Sequence, residues 1–312
     1  MNGLPNLQEK LYTAAEKRIE IYPCHTNRAS ALGHDCERYL VYMRTEWDKA
    51  LPHDVNLQLI FDEGNNQEKA VLQALAEAGV DVIEQQTSLH EKDLNITGHV
   101  DGVLNIKGTA VPLEIKSMSP HIWDSIFKRG AAVYEWEEVA EGFQTKFWLR
   151  KYYAQLQIYM LCKNNDKAIL LCKNKTTGAL AQVDIGLNYD YAEQLLQRAE
   201  IINRFVEAGE LPDRIPFNNE VCRRCEYNHL CCPDEIAMDP YQTISDDQVA
   251  EWCKKDLEFA PAAKEKKAAR DNLLKFVKAN KDRRRWLVDG KYNLEYNGKR
   301  ISLTEITETG QP

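Results

Sequence analysis

The spacing of apolar side chains changes character near residue 80, from helical to strand-like. Residues 7–20 carry an amphipathic helical pattern, and 31–50 a second one that includes Cys36. A third helix is predicted over about 63–80, with Val71, Leu72, Leu75 and Val80 at roughly helical spacing. Residues 80–89 and 95–117 then alternate β-branched and polar positions between glycines, which predicts strands. The segment 118–150 has no clean period and is rich in aromatic and basic side chains. A helix is predicted over 151–163, strands over 167–173 and 179–187, and a helix over 188–209 that ends at Gly209 and Pro212. A cysteine-rich loop follows. After it come a polar helical stretch interrupted near Pro261 and a β-rich tail from about 285 to 304. This order predicts an α/β core flanked by helices: an N-terminal helix in 1–27, the core in 28–240, and a helical and β-rich appendage in 241–312.

Composition narrows the class. The 312 residues suffice for one large core with appendages, and 44% hydrophobic content is ordinary for a globular chain. No stretch approaches the roughly 18 apolar residues of a membrane span, and the N-terminus lacks the apolar run of a secretory signal. The expectation is an intracellular, cytoplasmic protein with no membrane partner. The net charge of −8 argues against a general nucleic-acid binder, but it is unevenly spread. Residues 251–300 hold 15 Lys and Arg against 8 Asp and Glu, a local excess of +7 in an acidic chain. Such a block either binds phosphates or forms a solvated helix face. An odd count of nine cysteines argues against a disulfide framework, and four of them (222, 225, 231, 232) fall within eleven residues, a clustering that points to metal.

The strongest chemical signal lies in the predicted strands. Gly98-His99-Val100-Asp101 is followed by Leu113-Glu114-Ile115-Lys116. A hairpin turning at Lys107-Gly108 pairs residues whose numbers sum to 215, so Asp101 falls opposite Glu114, with Lys116 on the same face. Two carboxylates there supply hard oxygen ligands for Mg²⁺ or Mn²⁺, and the Ile115 carbonyl is a further candidate ligand. Lys116 can orient or help deprotonate a water, or neutralise developing charge. Read alone, the same residues fit a surface strand with a cross-strand salt bridge.

Three further motifs accompany the hairpin. Gly64-Asn65-Asn66-Gln67-Glu68 precedes it, Gly98 and Asp101 fit G-x-x-D, and Gln155 and Tyr159 follow as Q-x-x-x-Y on one helical face. In this order the motifs resemble the RecB-like branch of the PD-(D/E)xK nucleases, which includes the AddB nuclease domain, CRISPR-associated spacer-trimming nucleases and phage recombination exonucleases. The resemblance covers roughly residues 28–235. It implies a restriction-endonuclease-like core with a mixed central sheet flanked by helices, and it makes Glu68 a third acidic group at the metal. It also sets Gln155 and Tyr159 beside the active site, in contact with DNA or the catalytic lysine. His99 is taken as structural.

Cys222, Cys225 and Cys231 read C-x2-C-x5-C, one ligand short of a four-coordinate site. Zinc could take His229 or Cys232 locally. The iron–sulfur branch of the same family places a distant cysteine in S-x5-C-x-R, which Ser30, Cys36 and Arg38 resemble. The resemblance thus implies a 4Fe-4S cluster on Cys36, Cys222, Cys225 and Cys231 that staples the first helices to the end of the core. Cys24 is the rival for the fourth position. Cys162 and Cys172 sit in apolar contexts and read as core residues.

Between the hairpin and Gln155, aromatic rings interleave with Lys128, Arg129, Lys146, Arg150 and Lys151, which are candidates for phosphate contacts, while most of the rings suit a core. Arg283 to Arg285 would extend that surface. No base-reading motif stands out, so sequence-independent DNA binding is expected. Together these readings predict a Mg²⁺- or Mn²⁺-dependent DNA exonuclease of recombination, repair or end processing, bacterial or phage-encoded. A recombinase or single-strand-binding protein is the expected partner class. Two alternatives stay open: a DNA-binding or assembly subunit that keeps the fold without catalysis, and an endonuclease of the same fold. A zinc-stabilised interaction module is a third.

Overall fold

The computed structural model describes residues 4–128, 130–237, 247–280, 285–288, 292–296 and 300–305. The chain divides into two compact units, Met1–Met238 and Asp239–Pro312.

The first unit opens with α1 (Leu7–Glu16), the two-residue strand β1 (Asn27–Arg28), the short α2 (Ala29–Leu32) and α3 (Glu37–Thr45). A long helix, α4 (Val55–Glu77), leads into three strands, β2 (Val82–Glu91), β3 (Ile96–Ile106) and β4 (Thr109–Met118). Then come α5 (Pro120–Ile126), β5 (Val133–Glu135), α6 (Trp136–Gln144) and α7 (Phe147–Lys163). The unit closes with β6 (Lys167–Asn174), β7 (Leu180–Gly186), α8 (Tyr189–Ala208) and the short helices α9 (Asn228–Cys231) and α10 (Pro233–Ala237). The sheet is mixed, in the order β1-β3-β4-β6-β7-β5, with β2 also paired to β3. The β4–β6 and β5–β7 pairs are parallel, and β2–β3, β3–β4 and β6–β7 are antiparallel. The architecture is therefore an α/β core with a central mixed sheet flanked by helices, as the element order predicted.

Local chemistry explains the parts that position the site. Lys107 and Gly108 both have positive φ (53° and 85°), the backbone of a two-residue hairpin turn whose twist matches the strands. That turn fixes the β3–β4 register as Ile106↔Thr109 through Gly102↔Leu113, the register read from the sequence. Asp54 caps α4 by accepting from the Leu57 N–H at 2.8 Å. Asn188 caps α8 in the same way, and Gly209 ends that helix at φ 68°. Helix α7 is buried on every side: Leu156 and Met160 join one cluster, Ala154 and Ile158 another. Its Gln157 is fully buried yet satisfied, donating to Gly186 O and accepting from the Asn188 N–H.

Several boundaries differ from the sequence reading. The helix expected over 31–50 is broken into α2, α3 and a 3-10 turn at Trp47–Lys49, which leaves Cys36 outside any helix, at the N-cap of α3. At the break Gly33 packs closely on α7, where a Cβ would lie 2.5 Å from Ala154 Cβ. Helix α4 starts eight residues before the predicted 63. The irregular 118–150 segment folds into α5, β5 and α6 around aromatic packing, with Trp136 stacked on Tyr153 at 4.2 Å.

The second unit contains α11 (Asp247–Ala279) and an antiparallel sheet of β8 (Arg285–Val288), β9 (Tyr292–Tyr296) and β10 (Ile301–Glu305). The helix passes position 261 without the predicted interruption. Val277, Leu294 and Ile301 form its small core. No helix among the described residues is long and apolar enough to cross a membrane.

Gly98 carries a packing constraint that ties two motifs together. A Cβ there would sit 2.7 Å from the Tyr159 hydroxyl and 3.0 Å from Ala29 Cβ. Gly98→Ala should therefore destabilise the first unit by about 1–3 kcal/mol, and Gly98→Ala/Tyr159→Phe should lose less than Gly98→Ala alone. Urea unfolding of the three proteins checks this.

Candidate active site

Asp101 marks a dislocation in the sheet. The β2–β3 ladder passes from Gln85↔Gly102 to Thr87↔Val100 without pairing Gln86 to Asp101, and the β3–β4 ladder stops at Gly102↔Leu113. The alternation of buried and open positions fails at the same level, where Val100, Asp101 and Gly102 are all buried. The Asp101 side chain replaces the missing backbone pairing: its Oδ2 accepts from the Ile115 N–H at 2.8 Å. Asp101 and Glu114 are thus at the same level of adjoining strands, as the register implied, but through a side-chain contact instead of a ladder pair.

Glu114 is 1% exposed and Lys116 forms an ion pair with it. The Lys116 Nζ lies 3.8 Å from Asp101 Oδ2, so one ammonium faces two carboxylates. Burial pushes the Glu114 carboxyl up to about 7, against the pull of Lys116 and with the push of Asp101. Lys116 resists the opposing effect of its own burial, because Glu114 and Asp101 hold its proton well above the ordinary lysine range. Glu114 Oε2 is buried with no hydrogen-bond partner.

Glu68 comes from α4 and faces the same cluster. Burial and then the Asp101 charge raise its carboxyl, while a 2.6 Å hydrogen bond from the Gln86 amide lowers it. Gly64, four residues earlier, has open space where a Cβ would be, so no packing contact demands glycine there. Ile115 and Leu113 join Val71 and Leu72 in the core beneath α4, on the face away from Lys116.

Helix α7 closes the other side. Gln155 donates from Nε2 to His99 O at 3.3 Å and so ties α7 to β3. Tyr159 is 1% exposed, its hydroxyl makes no hydrogen bond of good geometry, and burial followed by Glu114 and Asp101 holds its proton on. Tyr152 was not foreseen. Its ring lies 5.4 Å from Lys116 Nζ, close enough for a cation–π contact, and its position three residues before Gln155 puts it on the same helical face.

The cysteines gather elsewhere in the unit. Cys36, Cys222, Cys225, Cys231 and Cys232 line one cavity of about 330 Å³, together with His34, Tyr39 and Arg214. Cys24 lines a different cavity, with Arg28 and Trp47. His229 lines neither. Cys222 Sγ accepts from the Asn218 N–H at 3.3 Å and Cys225 Sγ from the Tyr227 N–H at 3.4 Å. Burial pushes Cys225 up to about 12, and it also raises Cys36 and Cys231. His34, another residue the sequence did not flag, accepts from the Cys36 N–H at 3.0 Å and is pushed down to about 4 by burial and then by Lys151. Among the described residues, no three His, Cys, Asp or Glu side chains converge closely enough to hold a single metal ion.

The basic residues predicted to meet phosphates sit mostly at the start of α7, against the cysteine loop. Lys146 faces Glu220 at 3.6 Å, Arg150 pairs with Asp35 at 3.0 Å, and burial lowers Lys151 while Glu226 opposes that. Lys128 is exposed, and Arg129 lies outside the described residues. In the same region Arg223 and Arg224 of the C-x2-C segment rest over Phe217 and Trp148. Most of the interleaved rings are core, as expected: Phe127, Tyr134, Trp136 and Phe143 belong to one buried cluster, while Trp123, Phe147 and Trp148 are partly exposed. Arg285 is described and pairs with Glu295, whereas Arg283 and Arg284 lie outside the described residues.

No family model matches the chain, and no curated protein matches it. Solved structures do. The crystal structure of SSO0001 overlays with a TM-score of 0.43 and 17% identity over 74% of this chain and 98% of that one. An alkaline exonuclease (LHK-Exo) from Laribacter hongkongensis overlays with a TM-score of 0.40 and 15% identity, over 64% of this chain and 93% of that one. Its complex with dAMP gives 0.37 and 13% over the same shares.

Removing Lys116 would leave two buried carboxylates without their cation. Lys116→Met should cost about 2–3 kcal/mol at pH 8, discounted for the partial exposure of the lysine, and Lys116→Met/Glu114→Gln should recover part of that. Equilibrium unfolding of both variants measures it.

Proposed function

We propose that the chain is a metal-dependent DNA nuclease whose active site is Glu68, Asp101, Glu114 and Lys116, with Gln155 and Tyr159 as its α7 wall. The supporting observation is the buried Glu114–Lys116–Asp101 contact, which Glu68 joins from a separate helix. A charge buried this deeply is costly to a fold, so its survival beside two further carboxylates calls for a functional reason.

The donor set suits a hard divalent cation. Glu68, Asp101 and Glu114 would hold Mg²⁺ or Mn²⁺ through carboxylate oxygens, with the Ile115 carbonyl as a further ligand. When bound, the cation supplies an activated water and charge stabilisation for phosphodiester hydrolysis. Lys116 has to leave the Glu114 oxygen it now occupies; its ammonium then offers donors to a phosphoryl oxygen or to the attacking water. Tyr152 and Tyr159 limit where that ammonium can go. An exonuclease acting on linear DNA ends, without sequence preference, is the form we favour.

The cysteine cavity fits a multi-atom group better than one ion. Four thiols from separate parts of the chain line it, Cys36 from before α3 and Cys222, Cys225 and Cys231 from after α8, the ligand number of a four-iron cluster. We assign a 4Fe-4S cluster to Cys36, Cys222, Cys225 and Cys231, a staple between the turn before α3 and the loop after α8. Anaerobically purified protein should contain iron and acid-labile sulfide in about equal amounts. Zinc without sulfide would overturn that assignment.

The direct test of activity compares end-labelled linear DNA with covalently closed circular DNA under Mg²⁺ or Mn²⁺, with Glu114→Ala alongside. Loss of linear DNA alone, abolished in the variant, is expected. Cutting of closed circles would make the enzyme an endonuclease, and no cutting by cluster-loaded protein would leave a binding or assembly subunit. A carboxyl held up at about 7 keeps its proton below that pH and competes with the cation. Apparent Mg²⁺ affinity should therefore be about tenfold weaker at pH 6 than at pH 8, read from Mg²⁺ titrations of cleavage rate.

A further inference from the structure

Among the described residues, four other than glycine adopt positive φ: Gln86, Asn95, Lys107 and Asn164. Three have ordinary explanations. Asn95 sits in the turn between β2 and β3, Lys107 in the β3–β4 hairpin turn, and Asn164 caps the end of α7. Gln86, at φ 50°, lies inside β2, where a side chain longer than Asn gains nothing from the left-handed region. It stands at the level of Asp101, where the β2–β3 ladder skips one pair. The distortion delivers its amide to Glu68: Nε2 donates to Glu68 Oε1 at 2.6 Å. Strain of this kind persists where the surrounding structure fixes a group for use.

We propose that Gln86 is a positioning residue of the cation site, holding one oxygen of the Glu68 carboxylate so that the other remains available beside Asp101. The role belongs to this chain's own strand distortion. It rests on the nuclease reading only in taking Glu68 as a ligand. Partners of metal ligands commonly contribute ten- to a hundredfold to affinity by fixing ligand orientation. A strained residue kept for that purpose has a distinctive signature: relieving it should favour the fold while weakening the site.

The test uses the full chain with Gln86→Gly and Gln86→Leu, and Asp101→Asn as the control that removes the site. Mn²⁺ affinity is read without DNA by electron paramagnetic resonance of the free ion, and melting is followed without metal. Both Gln86 variants should bind Mn²⁺ about 10–100-fold more weakly than the parent. Gln86→Gly, free to adopt positive φ, should melt at the parent's temperature or about 2 °C above it. Gln86→Leu keeps the strain without the amide and should melt no higher than the parent. Mn²⁺ affinity within about twofold of the parent in Gln86→Gly would overturn the proposal, as would a Gln86→Gly protein that melts well below the parent. A parent that binds no Mn²⁺ would defeat both this role and the cation site. A parent that binds Mn²⁺ but cuts no DNA would defeat the nuclease reading alone, and the Mn²⁺ comparison would still decide the role of Gln86.

Discussion

The first unit is organised around one carboxylate taken out of water. Glu114 sits in the middle of a mixed sheet at 1% exposure, and the chain satisfies it chiefly with a single ammonium, Lys116, two residues along the same strand. Three carboxylates, counting Glu68 and Asp101, share that ammonium, so the cluster is short of positive charge when all are ionised. The chain relieves part of the deficit by holding the Glu114 proton up to about 7. A divalent cation would relieve it more fully, with carboxylates from α4 and the β3–β4 hairpin as its donors once the Lys116 ammonium moves aside.

Keeping those elements in place requires departures from regular structure. The sheet loses its ladder pairing on both sides of Asp101, and Ile115 gives its N–H to that side chain. Gly98 omits a side chain so that Tyr159 can approach. These are violations of local rules grouped at one level of the sheet, a pattern expected at a working site and not in a core optimised for stability alone. The cysteine cavity is the second organising feature, drawing Cys36 from before α3 to the loop after α8, with the Arg38 guanidinium donating to Pro212 O at 2.8 Å across the same seam.

Much of this was legible in the chain because it rests on short-range periodicity. The two-residue turn at Lys107-Gly108 and the strand period fixed which residue faces Glu114, and Asn188 and Gly209 marked both ends of α8. What escaped depends on contacts distant in sequence. Nothing near Gly33 announces that Ala154 will pack against it where the expected helix is broken. The aromatic run after residue 118 has no period of its own and takes shape only by packing, as Trp136 does on Tyr153. A positive φ at Gln86 leaves no trace in composition. Nor could charge counting reveal that Lys146 and Arg150 face Glu220 and Asp35. Tyr152 was within reach, since helical spacing from Gln155 and Tyr159 already pointed to it.

The central claim is that the buried acid–lysine cluster is a divalent-cation site. Crystals soaked in Mn²⁺ and measured at the manganese absorption edge test it most directly. The account predicts an anomalous peak bounded by Glu68, Asp101 and Glu114, with the Lys116 ammonium displaced from Glu114. Saturating Mn²⁺ that leaves no peak there, with Lys116 still paired to Glu114, would contradict it.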